Sequence, residues 1–312
     1  MFTNLGNYLY VPVHEIPELK YKDVGAHISN IIKVSDGEKI VKTIAVNKFD
    51  DTNITLFTKL GMVKRVPLKD LEVSRYSKPV NCMKLKDKDE LVSVSRCDSQ
   101  DTMIITKDGY ALKFSTSEIP VLGVKAGGVK SIKLNSGGEV VSAFVVSDQK
   151  EYLCLFTDRN TAKRIKIDDI DKITRAKKGT CVLKSPKSKQ YTITHAFNIG
   201  SKHIFGIIDK EIGYLKSSDI GIFDKASTGT TFTKKNVDNV FVVTRFTDIT
   251  NQNKEVKEEP QEEVTKIVND EEMAELEKTN IKAEEKPAIQ KEKEVKKETQ
   301  LTMSDFFEEF KI

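Results

Sequence analysis

A fivefold internal repeat limits the folds open to this chain more than any other feature. Five stretches of its 312 residues match one another, beginning at Thr3, Thr58, Thr106, Thr157 and Asp209, at spacings of 55, 48, 51 and 52 residues. The first four run from a Thr to a Gly or Asn three residues on: Gly6, Gly61, Gly109 and Asn160. The fifth reaches Gly213 after one insertion. Gly and Asn tolerate the positive φ of a tight hairpin, so each stretch reads as a turn between two strands. Short β-rich runs at 54–57, 103–105, 153–156 and 204–208 precede the last four turns.

Each unit then has a second half. A longer strand-like run lies at 37–46, 89–96, 138–146, 191–197 and 240–246, and a shorter apolar run precedes it at 27–34, 80–85, 129–134, 181–184 and 230–233. Four strands recurring about every 50 residues predict an all-β, propeller-like fold of about five four-stranded blades. The chain starts at Met1-Phe2, directly before its first turn, so the first blade is expected to be incomplete. Such a blade must borrow a strand, leave an open edge that invites pairing, or belong to a longer parent.

The charge is split along the chain. Residues 251–312 hold 11 Lys against 18 Asp and Glu, so the remaining 40 basic and 29 acidic residues give residues 1–250 a net charge of +11 and the tail −7. In the repeats the cations recur at fixed places. Hairpins end in Lys64-Arg65, Lys113, Lys163-Arg164 and Lys216, with Tyr10 at that point in the first unit. The loops that follow carry Lys20 and Lys22, then Arg75 and Lys78, Lys125 and Lys130, then Arg175, Lys177 and Lys178, and more weakly Lys225.

Repetition predicts that these positions form a basic belt on one rim. Such a belt suits a curved polyanion: Lys and Arg contact phosphates irrespective of base sequence, and binding releases counterions. The candidate duplex-DNA contacts are Lys64, Arg65, Arg75, Lys78, Lys113, Lys125, Lys130, Lys163, Arg164, Arg175, Lys177, Lys178 and Lys216. Glycines in the loops would let backbone approach the duplex. Bending DNA costs about 1–6 kcal/mol for a modest curve, which several phosphate contacts would have to offset. No groove-reading helix is apparent, so base-specific readout is not expected.

Features of other classes are missing or weak. No apolar run approaches the ~18 residues of a membrane span, and Met1–Tyr10 is not patterned as a signal peptide, so a cytoplasmic, nucleoid-associated protein is expected. Cys82, Cys97, Cys154 and Cys181 form no C-x-x-C pair and read as small core or edge residues. His14, His27, His195 and His203 lack metal-ligand spacing, and neither a P-loop nor a Gly-x-Ser-x-Gly elbow occurs. Asp50-Asp51 and Asp168-Asp169 read as surface turns. No catalytic residue, metal or cofactor is expected in this chain.

The tail is a separate object. The repeat body is placed at 1–248 and a charged linker at 249–299, too poor in apolar residues to bury a core and expected to be disordered. Charge pairs a turn apart favour a short helix at 270–278. A C-terminal motif at 300–312 sets Met303, Phe306, Phe307 and Phe310 on one helical face, the pattern of a helix that docks in a groove. Gln300, Met303, Phe306 and Phe307 resemble a sliding-clamp-binding peptide, closer to its archaeal-eukaryotic form than to the shorter bacterial one; the other reading is an apolar tip that docks back on the body. The acidic tail beside a basic rim predicts self-competition, so deleting 250–312 should tighten DNA binding at low salt.

Residues 6–14 (Gly-Asn-Tyr-Leu-Tyr-Val-Pro-Val-His) and 20–29, with 75–79 (Arg-Tyr-Ser-Lys-Pro) and 126–132, resemble the C-terminal domain of the A subunit of bacterial topoisomerase IV of the Gram-positive type. They are more distantly similar to the gyrase A counterpart. The resemblance covers about 1–248. It implies a β-pinwheel with exchanged strands that lays DNA on its outer rim, as a non-catalytic part of an ATP-dependent type II topoisomerase. It implies two partners, the B subunit plus the catalytic region of the A subunit. The Gln-Arg-Arg-Gly-Gly-Lys-Gly box of gyrase is absent, so guidance of a DNA segment is implied rather than full wrapping. No tyrosine here takes the strand-cleaving role. The rival reading from the residues is a propeller-type protein-interaction scaffold whose rim charge only confers solubility.

Overall fold

The computed structural model describes residues 1–243 except 21, 75, 76, 97–100, 147–150, 187, 189 and 201. The tail segments 249–299 and 300–312, and with them Gln300, Met303, Phe306 and Phe307, lie outside the described residues, as do Arg75 and Cys97. Among the described residues every regular element is a strand or a short 3-10 turn.

The strands form five small sheets. Blade 1 contains β1 (Phe2–Thr3), β2 (Asn7–Tyr8), β3 (Ile40–Lys42) and β6 (Val80–Asn81). Blade 2 contains β4 (Asn53–Thr58), β5 (Met62–Pro67), β7 (Leu91–Arg96) and β10 (Val129–Lys130). Blade 3 contains β8 (Asp101–Thr106), β9 (Tyr110–Ser115), β11 (Val140–Val146) and β14 (Thr180–Cys181). Blade 4 contains β12 (Tyr152–Thr157), β13 (Thr161–Lys166), β15 (Ile193–Ile199) and β18 (Thr230–Thr231). Blade 5 has three strands, β16 (Ile204–Ile208), β17 (Ile212–Lys216) and β19 (Asn239–Val243).

Every pairing in these sheets is antiparallel, and each of the first four blades takes its outer strand from the following repeat. Val80 pairs with Tyr8, Val129 with Val63, Thr180 with Ala111, and Thr230 with Ala162. This exchange corrects the expectation of an incomplete first blade. Phe2–Thr3 suffices as its inner strand, pairing with both Tyr8 and Lys42. In these four blades the donated strand comes from later in the chain, and among the described residues the sheet with three strands is blade 5, not blade 1.

The turns explain part of this pattern. In the first four blades the Gly or Asn at the hairpin tip has positive φ, from +53° at Asn160 to +90° at Gly109. That geometry turns its carbonyl toward the incoming strand: Gly6 O accepts from Cys82 N–H, Gly61 O from Ser131, Gly109 O from Val182 and Asn160 O from Phe232. Blade 5 departs from the sequence reading. Its hairpin closes between Ile208 and Ile212 over the three residues Asp209–Glu211, where Phe57 and Val63 are bridged by five. Gly213 therefore pairs within β17 opposite Ile207, and no tip carbonyl of the same kind is formed.

The core lies between consecutive blades. The inner strands bury both faces, with period-2 alternation deciding which neighbour each side chain meets. Met103 and Ile105 on β8 pack toward Leu153 and Leu155 of blade 4, whereas Ile104 packs with Phe57 and Val63 of blade 2. Phe156 on β12 packs on blade 5, edge-on to Phe205 with ring centroids 5.0 Å apart and to Phe232 at 5.4 Å. The free thiols of Cys82 and Cys154 are buried and Cys181 is partly buried.

Candidate nucleic-acid interface

The cations at the hairpin ends fall on two positions of the return strand, and the fold draws both inward. Lys64 is fully buried and Lys163 is 1% exposed. Lys64 Nζ donates to the carbonyls of Gly123 at 2.8 Å and Val124 at 2.9 Å. Lys163 Nζ donates to Lys225 O and Ser227 O at 2.7 Å each and to Asp224 O at 3.2 Å. Burial pushes both ammonium groups down to about 8, and the neighbouring Cys82 and Cys181 thiols, with Asp224 beside Lys163, only partly oppose it.

At the next position Arg65 Nε donates to Ile119 O at 2.9 Å, Lys113 Nζ to Ile167 O at 2.9 Å and Arg164 Nε to Ile220 O at 2.7 Å. The main chain of each also bridges in parallel to the following repeat, at Val121, Lys172 and Ile222. Burial lowers the Lys113 ammonium, against the charges of Asp101, Asp168 and Asp171. Lys64, Lys113, Lys163 and Arg164 are thus buried structural donors, and half-buried Arg65 is held the same way. The sequence grouped them with the loop cations because a buried and an exposed lysine are the same letter. Lys216 is exposed but sits just before the 3-10 turn Ser217–Asp219, the place of Lys166 in blade 4 rather than of Arg164.

The loop cations differ. Lys78, Lys125, Lys130, Lys177 and Lys178 are exposed, and Lys178 lies over the Tyr110 ring, 4.2 Å from its centroid. Arg175 is half-buried: its backbone N–H is held by Glu118 Oε2 at 2.8 Å and its guanidinium donates to Lys130 O. The loop glycines Gly128, Gly179 and Gly229 have positive φ and pack against the backbone of the preceding blade's return strand. A Cβ on Gly179 (φ +87°) would stand 2.4 Å from Ala111 O, which only glycine avoids.

These loops are joined to one another through main-chain bonds. Lys84 N–H donates to Ala126 O, Lys133 N–H to Lys177 O, Ala176 N–H to Ser131 O and Lys184 N–H to Ala226 O. The loops of repeats two to five therefore form one connected series. Cations that the sequence reading did not single out stand at one equivalent place just beyond each donated strand: Lys84, Lys133 and Lys184, which make these bonds, and Lys234, all exposed. Their spacing of 49–51 residues, which extends back to Lys33, was the available signal. Among the described residues no carboxylate lies within ion-pair distance of Lys78, Lys84, Lys125, Lys130, Lys133, Lys177 or Lys184, whereas Lys225 lies 3.7 Å from Asp171.

Other chemistry is sparse. His195 Nε2 lies 3.0 Å from Asn239 Oδ1 and its ring stacks on Phe197, with burial lowering its basicity. Among the described residues no group of three or more His, Cys, Asp or Glu is placed to hold a metal ion, and no helix is long and apolar enough to cross a membrane.

The repeats match the family model described as the DNA gyrase C-terminal domain, beta-propeller, over residues 1–47, 52–98, 100–147 and 151–187. The chain is 38% identical over 202 residues to the A subunit of DNA topoisomerase 4 from Bacillus subtilis, 64% of this chain and 25% of that protein. It is 36% identical over 211 residues to the Streptococcus pneumoniae counterpart, covering 66% and 25%. It spans about a quarter of the length of these curated relatives. Among solved structures, a C-terminal domain of DNA topoisomerase IV superposes with a TM-score of 0.74 at 35% identity, covering 78% of this chain and 77% of that one. A gyrase A C-terminal domain superposes at 0.63 with 20% identity, covering 77% and 80%, and shares the fold.

Proposed function

Since the chain belongs to the family of DNA gyrase C-terminal β-propeller domains, we propose that it binds and bends duplex DNA without base specificity along its connected loops. It would thereby present a DNA segment to an active site outside this chain, as the accessory part of a type IIA topoisomerase. The observation that carries the reading is the series of loops tied by main-chain bonds and bearing Lys78, Lys84, Lys125, Lys130, Lys133, Lys177 and Lys184, without carboxylate partners among the described residues. A series of exposed cations without carboxylate partners among the described residues suits a phosphate backbone, and each contact formed releases counterions. The half-buried Arg65 and Arg175 add field near that row more than direct contacts.

The experiment is titration of labelled duplexes of unrelated sequence at several salt concentrations. Affinity should fall steeply with salt and vary little with sequence; a flat salt response defeats the reading. Circularisation of short duplexes with the protein present tests bending. Family membership supports, as proposed partners, the B subunit plus the catalytic region of the A subunit. Clamp binding through Gln300, Met303, Phe306 and Phe307 is proposed from the sequence pattern, and titration of a 298–312 peptide with a sliding clamp tests it.

A further inference from the structure

We propose that Lys64 and Lys163, though shielded from solvent, are positioning residues of the DNA-binding surface, each tying the loop of the next repeat into the shape that offers its lysines to phosphate. The inference rests on the DNA-binding reading above. Each ammonium lies where carbonyls from the next repeat converge: Gly123 and Val124 for Lys64, and Asp224, Lys225 and Ser227 for Lys163. The same loops are the ones that reach sideways, Ala126 O to Lys84 N–H and Ala226 O to Lys184 N–H. A charged donor set of this kind does what a bound monovalent cation would do. It turns carbonyl dipoles inward and opposes their mutual repulsion, leaving the exposed Lys125 on a loop of fixed path.

The other blades show that the fold itself does not require the ammonium. The equivalent of Lys64 in blade 1 is Leu9, 1% exposed, and in blade 3 it is Leu112, fully buried. An apolar side chain therefore fits this register of the sheet, and packing alone does not account for a lysine at two of four joints. Burying a lysine costs free energy that leucine does not, so the carbonyl contacts have to supply what it brings.

The test compares the full chain with the K64M/K163M double variant. Both should unfold cooperatively, and hydrogen exchange should rise in the loops around 123–127 and 224–228. DNA affinity should fall about tenfold with the salt slope lowered by about 2, as though surface contacts were lost, at roughly 0.9 per phosphate contact. Amine-reactive labelling should leave Lys64 and Lys163 unmodified with or without DNA, which a direct phosphate contact would not. Should methionine prevent folding, leucine, the residue of blades 1 and 3, replaces it. A folded variant with unchanged affinity and slope overturns this inference alone; a wild-type chain without salt-dependent DNA binding overturns it together with the reading it rests on.

Discussion

The side-chain nitrogen of Lys64 lies 2.8 Å from the carbonyl oxygen of Gly123, 59 positions further along the chain. The bond crosses from one repeat to the next, at the joint where blade 2 also receives β10 from the same repeat. Cations at such a joint bridge successive repeats, and the loop cations beyond them are the exposed ones.

That division predicts the effect of charge reversal. Lys84, Lys133 and Lys184 are exposed and make their structural bonds through backbone N–H groups. Replacing all three by Glu should leave stability within about 0.5 kcal/mol per site. It should lower the salt slope of DNA binding by about 3, one per lost phosphate contact. Equilibrium urea unfolding and anisotropy titrations read the two quantities separately.

Gly179→Ala should destabilise the protein by about 2 kcal/mol or more, because alanine pays for φ +87° and its Cβ meets Ala111 O at 2.4 Å. A midpoint shift in urea with little change in m checks it. Gly37, also at positive φ but with nothing near its Cβ, should cost only about 1 kcal/mol.

Phe156→Ala should cost about 3–5 kcal/mol. The ring is 1% exposed and meets Phe197, Phe205 and Phe232, drawn from blade 4, blade 5 and the segment after β18. Loss of protection in blade 5 by hydrogen exchange, with blade 1 less affected, is the expected signature.

The buried lysines predict a pH dependence. The folded-state values of Lys64 and Lys163, about 8, lie below the ordinary 10.5. Between these limits the unfolded chain keeps protons that the folded protein has released, so stability rises with pH across that window. Below pH 8 both states are protonated and these groups contribute no slope. The stability of wild type relative to K64M should therefore grow from pH 8 to 10.5; a difference independent of pH contradicts the assignment.

Much of the architecture was legible because it is periodic. Thr58–Gly61 and Thr106–Gly109 announce hairpins through local turn chemistry, and the apolar run at 153–156 announces a strand buried on both faces. Strand exchange was not legible from the residues alone, since Val129 has the same composition cues whether it pairs with its own hairpin or with Val63 of the preceding repeat. Of the cations expected on an outer rim, Lys78, Lys125, Lys130, Lys177 and Lys178 in the loops are exposed. Lys64, Lys113, Lys163 and Arg164 are buried instead, because their partners in space lie more than fifty residues away.

By itself the sequence determined five sheet modules, the turns of the first four and the basic character of residues 1–250, all properties of near neighbours and of counting. Only the tertiary structure decided which cations reach solvent and which blade receives which strand. Both depend on where a later repeat lands on an earlier one, through carbonyls such as those of Gly61, Gly123 and Ser227 that no local pattern marks as acceptors.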